Sequence, residues 1–114
     1  MNRALGKKGE ELAMAAARAE GYTVRESNYR CPFGEIDLVL QKGSTVVFAE
    51  VKTRKDDSFG EPWEAVTEIK QERIRRVAAW YVQQHNLHLT YRFDVFAVYS
   101  WGGNWKYRWY KDAF

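Results

Sequence analysis

The stretch Gly34–Arg54, GEIDLVLQKGSTVVFAEVKTR, holds two apolar runs joined by a Gly-Ser turn. Each run carries one carboxylate where a core residue is expected, Asp37 in the first and Glu50 in the second. Lys52 follows Glu50 by two residues, which keeps it on the same face of a strand. Buried charges are costly unless they are paired or bind a metal, so this hairpin predicts a metal site.

The register of the hairpin brings the two acids together. If Gly43 and Ser44 form a two-residue turn, Asp37 lies directly opposite Glu50, with Cβ atoms about 5 Å apart. The same register places Glu35 opposite Lys52. Two carboxylates at that separation repel by about 3 kcal/mol at an effective dielectric constant of about 20. A shared proton, access to water or a cation would relieve this repulsion, and Mg²⁺ and Mn²⁺ prefer carboxylate oxygens.

The first predicted helix supplies a third acid. On a helical wheel Glu10 lies beside Ala13 and Ala17 at the edge of the apolar stripe, whereas Glu11 lies on the opposite side. Glu10 is therefore placed to reach the face of the sheet that carries the other acids. The alternative is that both glutamates only complement the helix dipole.

Composition sets broad limits. The 114 residues are enough for one domain, and 46% hydrophobic residues can form a core. No apolar run reaches the roughly 18 residues of a membrane span, and the N-terminus lacks the apolar core of a signal peptide, so we expect a cytoplasmic protein without membrane contact. The single Cys31 suits a reducing compartment. A net charge of +3 permits a polyanionic partner without requiring one.

Hydrophobic periodicity predicts seven elements in the order α-β-β-β-α-β-β. The helices are expected at Asn2–Glu20 and Thr67–Asn86. The strands are expected at Tyr22–Tyr29, Glu35–Gln41, Val46–Thr53, Tyr91–Tyr99 and Trp105–Tyr110, with a polar loop at Lys55–Pro62. The second and third strands are apolar on both faces, which is typical of strands covered on both sides. The predicted fold is therefore a single three-layer α/β/α domain over residues 1–114, with a central mixed sheet.

The motifs resemble those of a known nuclease class. Asp37 followed by Glu50-Val51-Lys52 is similar to the Asp…Glu-x-Lys pattern of the restriction-endonuclease-like, or PD-(D/E)xK, superfamily. The whole set resembles the YraN-like family of predicted endonucleases, which are distantly related to archaeal Holliday junction resolvases. The stretches that carry this resemblance are GKKGEELA, NYR, GEIDLV, FAEVKTR, FGEPWEAV, KQERI and RFDV. Ile36 stands where the superfamily pattern has proline, and the Trp-rich C-terminal end is not matched.

The resemblance implies a function and a site. It implies a Mg²⁺- or Mn²⁺-dependent endonuclease that hydrolyses DNA, with selectivity for branched or single-stranded structure. Asp37, Glu50, Glu10 and the backbone carbonyl of Val51 are implied as metal ligands. Lys52 is implied as the residue that positions or deprotonates the attacking water. A junction-resolving role would imply a homodimer.

Four polar side chains are candidates for contacts with nucleic-acid phosphates, which position a backbone without reading its sequence. They are Asn28, Arg30, Arg54 and Lys70. Each has the alternative of an ordinary surface residue. Trp105, Tyr107 and Trp109 alternate on the last strand, and we expect them to cover the core, the alternatives being base stacking or a subunit contact.

Two other functions remain open at the level of sequence. The first is a nucleic-acid-binding module that keeps the nuclease fold without cutting. The second is an interaction protein that uses its aromatic C-terminus as a dimer surface. Retention of the two acids and the lysine favours catalysis over the first, because a non-catalytic domain has no reason to maintain their repulsion.

Overall fold

The computed structural model of the chain describes residues 3–55 and 66–114. The seven elements occur in the predicted order, with bounds that differ from the prediction by at most a few residues. The helices are α1 (Arg3–Ala19) and α2 (Glu68–Gln84). The strands are β1 (Thr23–Cys31), β2 (Gly34–Lys42), β3 (Thr45–Arg54), β4 (Thr90–Trp101) and β5 (Asn104–Tyr110). The loop predicted at Lys55–Pro62 lies outside the described residues, apart from Lys55.

The five strands form one mixed sheet in the order β1-β2-β3-β4-β5. Only β3 and β4 pair in parallel, and α2 lies between them in the chain as the crossover helix. The core of one sheet face includes Ala13 and Ala16 of α1, and the core of the other includes Ile74 and Val77 of α2. The predicted three-layer α/β/α architecture with a mixed central sheet is therefore confirmed.

Helix α2 begins and packs as its sequence predicts. The Thr67 side chain caps it by accepting a hydrogen bond from the Lys70 N–H at 3.2 Å. Its buried residues recur at helical spacing on one side, and they are Ile74, Val77, Ala78 and Tyr81. None of the helices in the described residues is long and apolar enough to cross a membrane.

Strand β4 carries a buried carboxylate that connects it to the C-terminal residues of the chain. The Asp94 side chain is fully buried and accepts two hydrogen bonds from Arg92, both at 2.8 Å. Trp109 Nε1 and the backbone N–H of Asp112 also donate to it, at 2.8 and 2.9 Å. Because this carboxylate is fully satisfied, the RFDV stretch has a structural role that ties β4 to the C-terminus.

The aromatic residues of β5 mostly cover the core, as the sequence predicts. The Trp109 ring stacks on Phe96, with centroids 4.6 Å apart, and meets Tyr22 edge-on. Trp105 packs against the same cluster. Tyr107 remains 48% exposed, so only two of the three alternating rings contribute to packing.

Helix α1 approaches the sheet closely because its inner face carries small residues. Gly9, Ala13, Ala16 and Ala17 are its buried positions. A Cβ atom at Gly9 would collide with the side-chain oxygen of Thr53 on β3, so only glycine fits this contact. The next residue of the helix is Glu10, and this contact therefore fixes its distance from the sheet.

We expect Gly9→Ala to destabilise the protein by about 1–3 kcal/mol through overpacking, although alanine is the better helix former. Urea denaturation monitored by circular dichroism measures this change. The double variant Gly9→Ala, Thr53→Ala should cost less than the sum of the single changes, because the smaller side chain makes room for the new methyl group. Strictly additive costs would contradict the close contact.

Candidate metal and nucleic-acid site

The candidate site lies where the central hairpin opens. The predicted turn and register are confirmed, since Lys42 pairs with Thr45 and the ladder continues to Leu38 and Ala49. The ladder ends there, one pair short of the predicted pairing of Asp37 with Glu50 and three pairs short of Glu35 with Lys52. Beyond this point β2 stays paired with β1 and β3 stays paired with β4. The sheet therefore divides between β2 and β3 and leaves room for polar side chains.

The Asp37 side chain accepts a hydrogen bond from β3 where backbone pairing between β2 and β3 has ended. Its Oδ2 accepts a hydrogen bond from the Val51 N–H at 2.7 Å. In an extended strand the N–H and C=O of one residue point toward the same neighbour, so the Val51 carbonyl faces the same opening. The opening therefore offers a carboxylate held in place by a backbone donor, with a backbone carbonyl beside it.

Glu50 is the buried acid of the site. Its side chain is 5% exposed, and its Oε2 lies 3.3 Å from Lys70 Nζ and 3.8 Å from Lys52 Nζ. Burial, followed by repulsion from Asp37, raises the pKa of Glu50 to about 7, although the two lysines act in the opposite direction. The acids therefore converge as predicted, and the two lysines only partly offset the burial and repulsion that act on Glu50.

The two lysines at Glu50 are not equivalent. Burial and the neighbouring Lys70 lower the pKa of Lys52 to about 8. Burial also acts against the charge of Lys70, but its contact with Lys52 and its attraction to Glu50 outweigh this, so its pKa is raised. Two ammonium groups next to one carboxylate repel each other, and Lys52 is the one that more readily gives up its proton.

Glu10 faces the same cleft from α1 but has a partner of its own. Its Oε1 accepts a hydrogen bond from Asn28 Nδ2 at 3.1 Å. Burial raises the pKa of Glu10, and the charges of Asp37 and Glu35 add to this effect, while the Asn28 hydrogen bond opposes it. Within residues 3–55 and 66–114, no three His, Cys, Asp or Glu side chains are close enough together to hold a metal ion. Glu10 therefore neighbours the acid pair without forming a three-acid cluster with it.

All these groups line one cleft of about 650 Å³. It contains the predicted residues Glu10, Asp37, Glu50, Val51 and Lys52, together with Arg30 and Lys70. The remaining lining residues are Cys31, Gly34, Glu35, Arg73 and Ile74. Four cations and four carboxylates thus meet in a space large enough for a phosphodiester group and a hydrated ion.

The other phosphate-contact candidates are placed less directly. Arg30 lines the cleft, but its side chain is 83% exposed and pairs with Glu35 at 3.1 Å. Arg54 donates to the Thr53 carbonyl at 3.2 Å and is not one of the residues that line the described cleft. Asn28 orients Glu10, as described above. The contacts of these residues with nucleic acid remain predictions.

Arg73 is a cleft residue that the sequence analysis did not single out. A Cβ atom at Gly34 would lie 2.9 Å from Arg73 Cδ, so this glycine leaves space for the arginine stem. Gly34 also has φ +139°, which side chains rarely adopt. The signal in the sequence was the spacing of three between Lys70 and Arg73, which places both on one side of α2.

A solved structure shares the fold of this chain, and sequence relatives show its family. The structure is similar to that of Archaeoglobus fulgidus Hjc, a Holliday junction resolvase from an archaeal hyperthermophile, with a TM-score of 0.53. The match covers 91% of this chain and 73% of that chain, at 15% sequence identity. Identity this low shows the fold alone, which is the restriction-endonuclease-like α/β/α fold.

The sequence of the chain identifies its family. The model of the Uncharacterised protein family UPF0102 matches residues 9–98. A UPF0102 protein of Caldicellulosiruptor saccharolyticus is 45% identical over 98 residues, which are 85% of this chain and 83% of that protein. One from Beutenbergia cavernae is 50% identical over 96 residues, which are 83% of this chain and 81% of that protein. The chain therefore belongs to the UPF0102 family, which confirms the resemblance found in its motifs.

The raised pKa of Glu50 predicts a pH dependence of stability. Between about pH 4.5 and pH 7 the native state holds more protons on Glu50 than the unfolded state, so the free energy of unfolding falls as pH rises through this window. Without divalent ions, we expect this fall to exceed that of Glu50→Gln by on the order of 1–3 kcal/mol. Urea denaturation across the window measures the difference. Glu35→Gln is the matched control, and parallel curves for the wild type and Glu50→Gln would contradict the prediction.

Proposed function

We propose that this protein is a metal-dependent endonuclease that hydrolyses DNA phosphodiester bonds, with selectivity for branched or single-stranded DNA. The observation that carries the proposal is the convergence of Asp37, Glu50 and Lys52 in one cleft at the division of the sheet. Structural acids are usually satisfied by the protein, as Asp94 is. The acids in the cleft instead repel each other, and a cation would relieve that repulsion.

The residues present fit a magnesium or manganese ion. Mg²⁺ binds through one or two carboxylates and keeps several waters or substrate phosphates as its other ligands. Asp37, Glu50 and the Val51 carbonyl would supply the protein ligands, and Glu10 would stand at the border of this set. When bound, such an ion polarises a phosphoryl group and lowers the pKa of water. The donors are all oxygen atoms, which suits a hard cation.

In this proposal Lys52 would accept or orient the proton of the attacking water. Its amine lies beside Glu50, and its pKa of about 8 allows a neutral fraction near neutral pH. A neutral amine can accept a proton from water, and the charged form can stabilise negative charge that develops on the phosphate. The Lys52 side chain is 18% exposed and lines the cleft.

The cations at the rim would bind the phosphates that flank the cleaved bond. Lys70 and Arg73 reach the cleft from α2, and Arg30 reaches it from β1. These contacts position a nucleic-acid backbone without reading its sequence. Asn28 and Arg54 would act outside the centre, Asn28 by orienting Glu10 and Arg54 by contacting more distant phosphates.

We expect Asp37→Asn and Glu50→Gln each to lower DNA cleavage by at least about 1,000-fold while DNA binding is retained, because several kcal/mol of charge stabilisation would be lost with the ion. Cleavage of labelled linear, flapped and four-way substrates in Mg²⁺ or Mn²⁺ measures this effect. Glu35→Gln, an exposed acid at the same cleft, is the matched control and should retain activity.

A single result separates this proposal from the binding-module alternative. If the wild-type protein binds these substrates but cleaves none of them in Mg²⁺ or Mn²⁺, the proposed activity is wrong. A non-catalytic nucleic-acid-binding function would then remain. Cleavage that survives Glu50→Gln would instead point to a contaminating nuclease.

Lys70 should compete with a metal ion for Glu50, because its ammonium group lies 3.3 Å from the Oε2 atom. We expect Lys70→Met to raise the affinity of the DNA-free protein for Mn²⁺ by about two- to fivefold, as removal of a partly exposed ion pair would. Isothermal titration calorimetry measures this affinity. Arg76→Met, an exposed change on the same helix, is the control. Unchanged or weaker Mn²⁺ binding in Lys70→Met would contradict the competition.

A further inference from the structure

The turn between β1 and β2 presents an aromatic ring beside the cleft. Phe33 is 46% exposed and meets Trp80 of α2 edge-on, with ring centroids 5.7 Å apart and an interplanar angle of 63°. Its neighbours Cys31 and Gly34 line the cleft itself. Pro32 precedes it and restricts the backbone of the turn. The ring is therefore held at the cleft border by a stiff segment rather than by a flexible loop.

This ring is unusual among the tight turns of the sheet. The β2–β3 turn is made by Gly43 and Ser44, and the β4–β5 turn by Gly102 and Gly103. Each of these pairs is typical of a tight turn, whereas a large aromatic residue is not. Since Phe33 leaves nearly half of its surface in solvent, its contribution to the core is small, and a binding role explains its position better.

A row of side chains on α2 connects Phe33 to the acid pair. The row, here called the α2 stripe, has spacings of three, four and three residues, which keep it on one side of the helix. Its members are Lys70, Arg73, Val77 and Trp80. Lys70 contacts Glu50 at one end, and Trp80 contacts Phe33 at the other.

The middle of the α2 stripe lies against the start of β2. A Cβ atom at Gly34 would lie 2.9 Å from Arg73 Cδ and 3.6 Å from Val77 Cγ2. Lys70 and Trp80 are ten positions apart on the helix, a distance of about 15 Å along its axis. For a strand that keeps the duplex rise of about 3.4 Å per nucleotide, this distance corresponds to about four nucleotides.

We propose that the Phe33–Trp80 pair stacks on an unpaired base of a DNA strand whose phosphates follow Lys70 and Arg73 into the cleft. This inference rests on the proposed function and specifies its substrate class, which is DNA single-stranded for about four nucleotides on one side of the cleavage position. Aromatic rings next to cations are the usual means of binding single strands, because every base has a face on which to stack. In a duplex the bases are already stacked on each other and do not reach the ring.

The experiment measures binding separately from cleavage. Fluorescence anisotropy in the Glu50→Gln background gives the affinity for duplexes with no tail and for duplexes with single-stranded tails of increasing length. We expect affinity to increase with tail length up to about four nucleotides and then to level off. Phe33→Ala should weaken binding of the long-tailed substrate about tenfold, to near the value for the blunt duplex, which itself should change little.

Two controls keep this test specific. Phe33→Tyr preserves a ring and should restore tail binding. Tyr91→Ala removes a ring that is 45% exposed at the end of β4 away from the cleft, where Tyr91 pairs with Val46, and should have no effect. If Phe33→Ala binds tailed and blunt substrates as the parent protein does, the stacking role is wrong. An equal loss on both substrates would likewise overturn it.

The outcomes also separate this inference from the proposed activity. Wild-type protein that cleaves DNA while Phe33→Ala leaves tail binding unchanged would preserve the nuclease proposal and reject the stacking platform. Protein that cleaves nothing but loses tail preference in Phe33→Ala would support the platform and reject the nuclease. Protein that binds no DNA at all would reject both.

Discussion

The hydrogen bond from the Val51 N–H to Asp37 is the interaction on which the site depends. It forms where the β2–β3 ladder stops, and it replaces a backbone pairing that a regular hairpin would make at this position. A side-chain acceptor there allows the two strands to separate without leaving a buried donor unsatisfied. The separation creates the cleft, and the group that supports it is also one of the two acids of the site.

The packing of the rest of the fold stabilises the site, although Asp37 and Glu50 repel each other. Both faces of β2 and β3 are buried in apolar layers, which fix the strands on either side of the division. Helix α1 is held at close range by Gly9, and α2 brings Lys70 to Glu50. A buried carboxylate with a pKa near 7 destabilises the folded state at neutral pH. Such local cost is expected at a functional site and is offset by packing elsewhere.

The sequence was sufficient to predict the fold and the convergence of the acids. The continuous apolar run of β3, the Gly43–Ser44 turn and the helical spacing in α2 are local signals, and each was confirmed in the structure. The point at which the β2–β3 pairing ends could not be predicted from the sequence. It arises because β2 remains paired with β1 while β3 remains paired with β4, and the two pairs of strands separate. The register rule therefore placed Asp37 opposite Glu50, whereas the Asp37 side chain bonds Val51 instead.

Long-range contacts account for what the sequence did not reveal at the site. The hydrogen bond from Asn28, which stays a predicted phosphate contact, to Glu10 joins residues eighteen positions apart in the chain, and the spacing of neither residue indicates it. Arg73 and Phe33 were not predicted as site residues, because their positions at the cleft depend on how α2 packs against the β1–β2 turn. Contacts of this kind depend on how separate elements pack, and periodicity within one element does not report on them.

The proposed nuclease site requires that Asp37 and Glu50 together bind a hard cation. The most direct measurement is an anomalous difference map from crystals of the protein grown with Mn²⁺. We expect a manganese peak in the cleft between Asp37, Glu50 and the Val51 carbonyl, with the Lys70 ammonium displaced from Glu50. Crystals at saturating Mn²⁺ with no peak there, and with Lys70 still paired to Glu50, would contradict it.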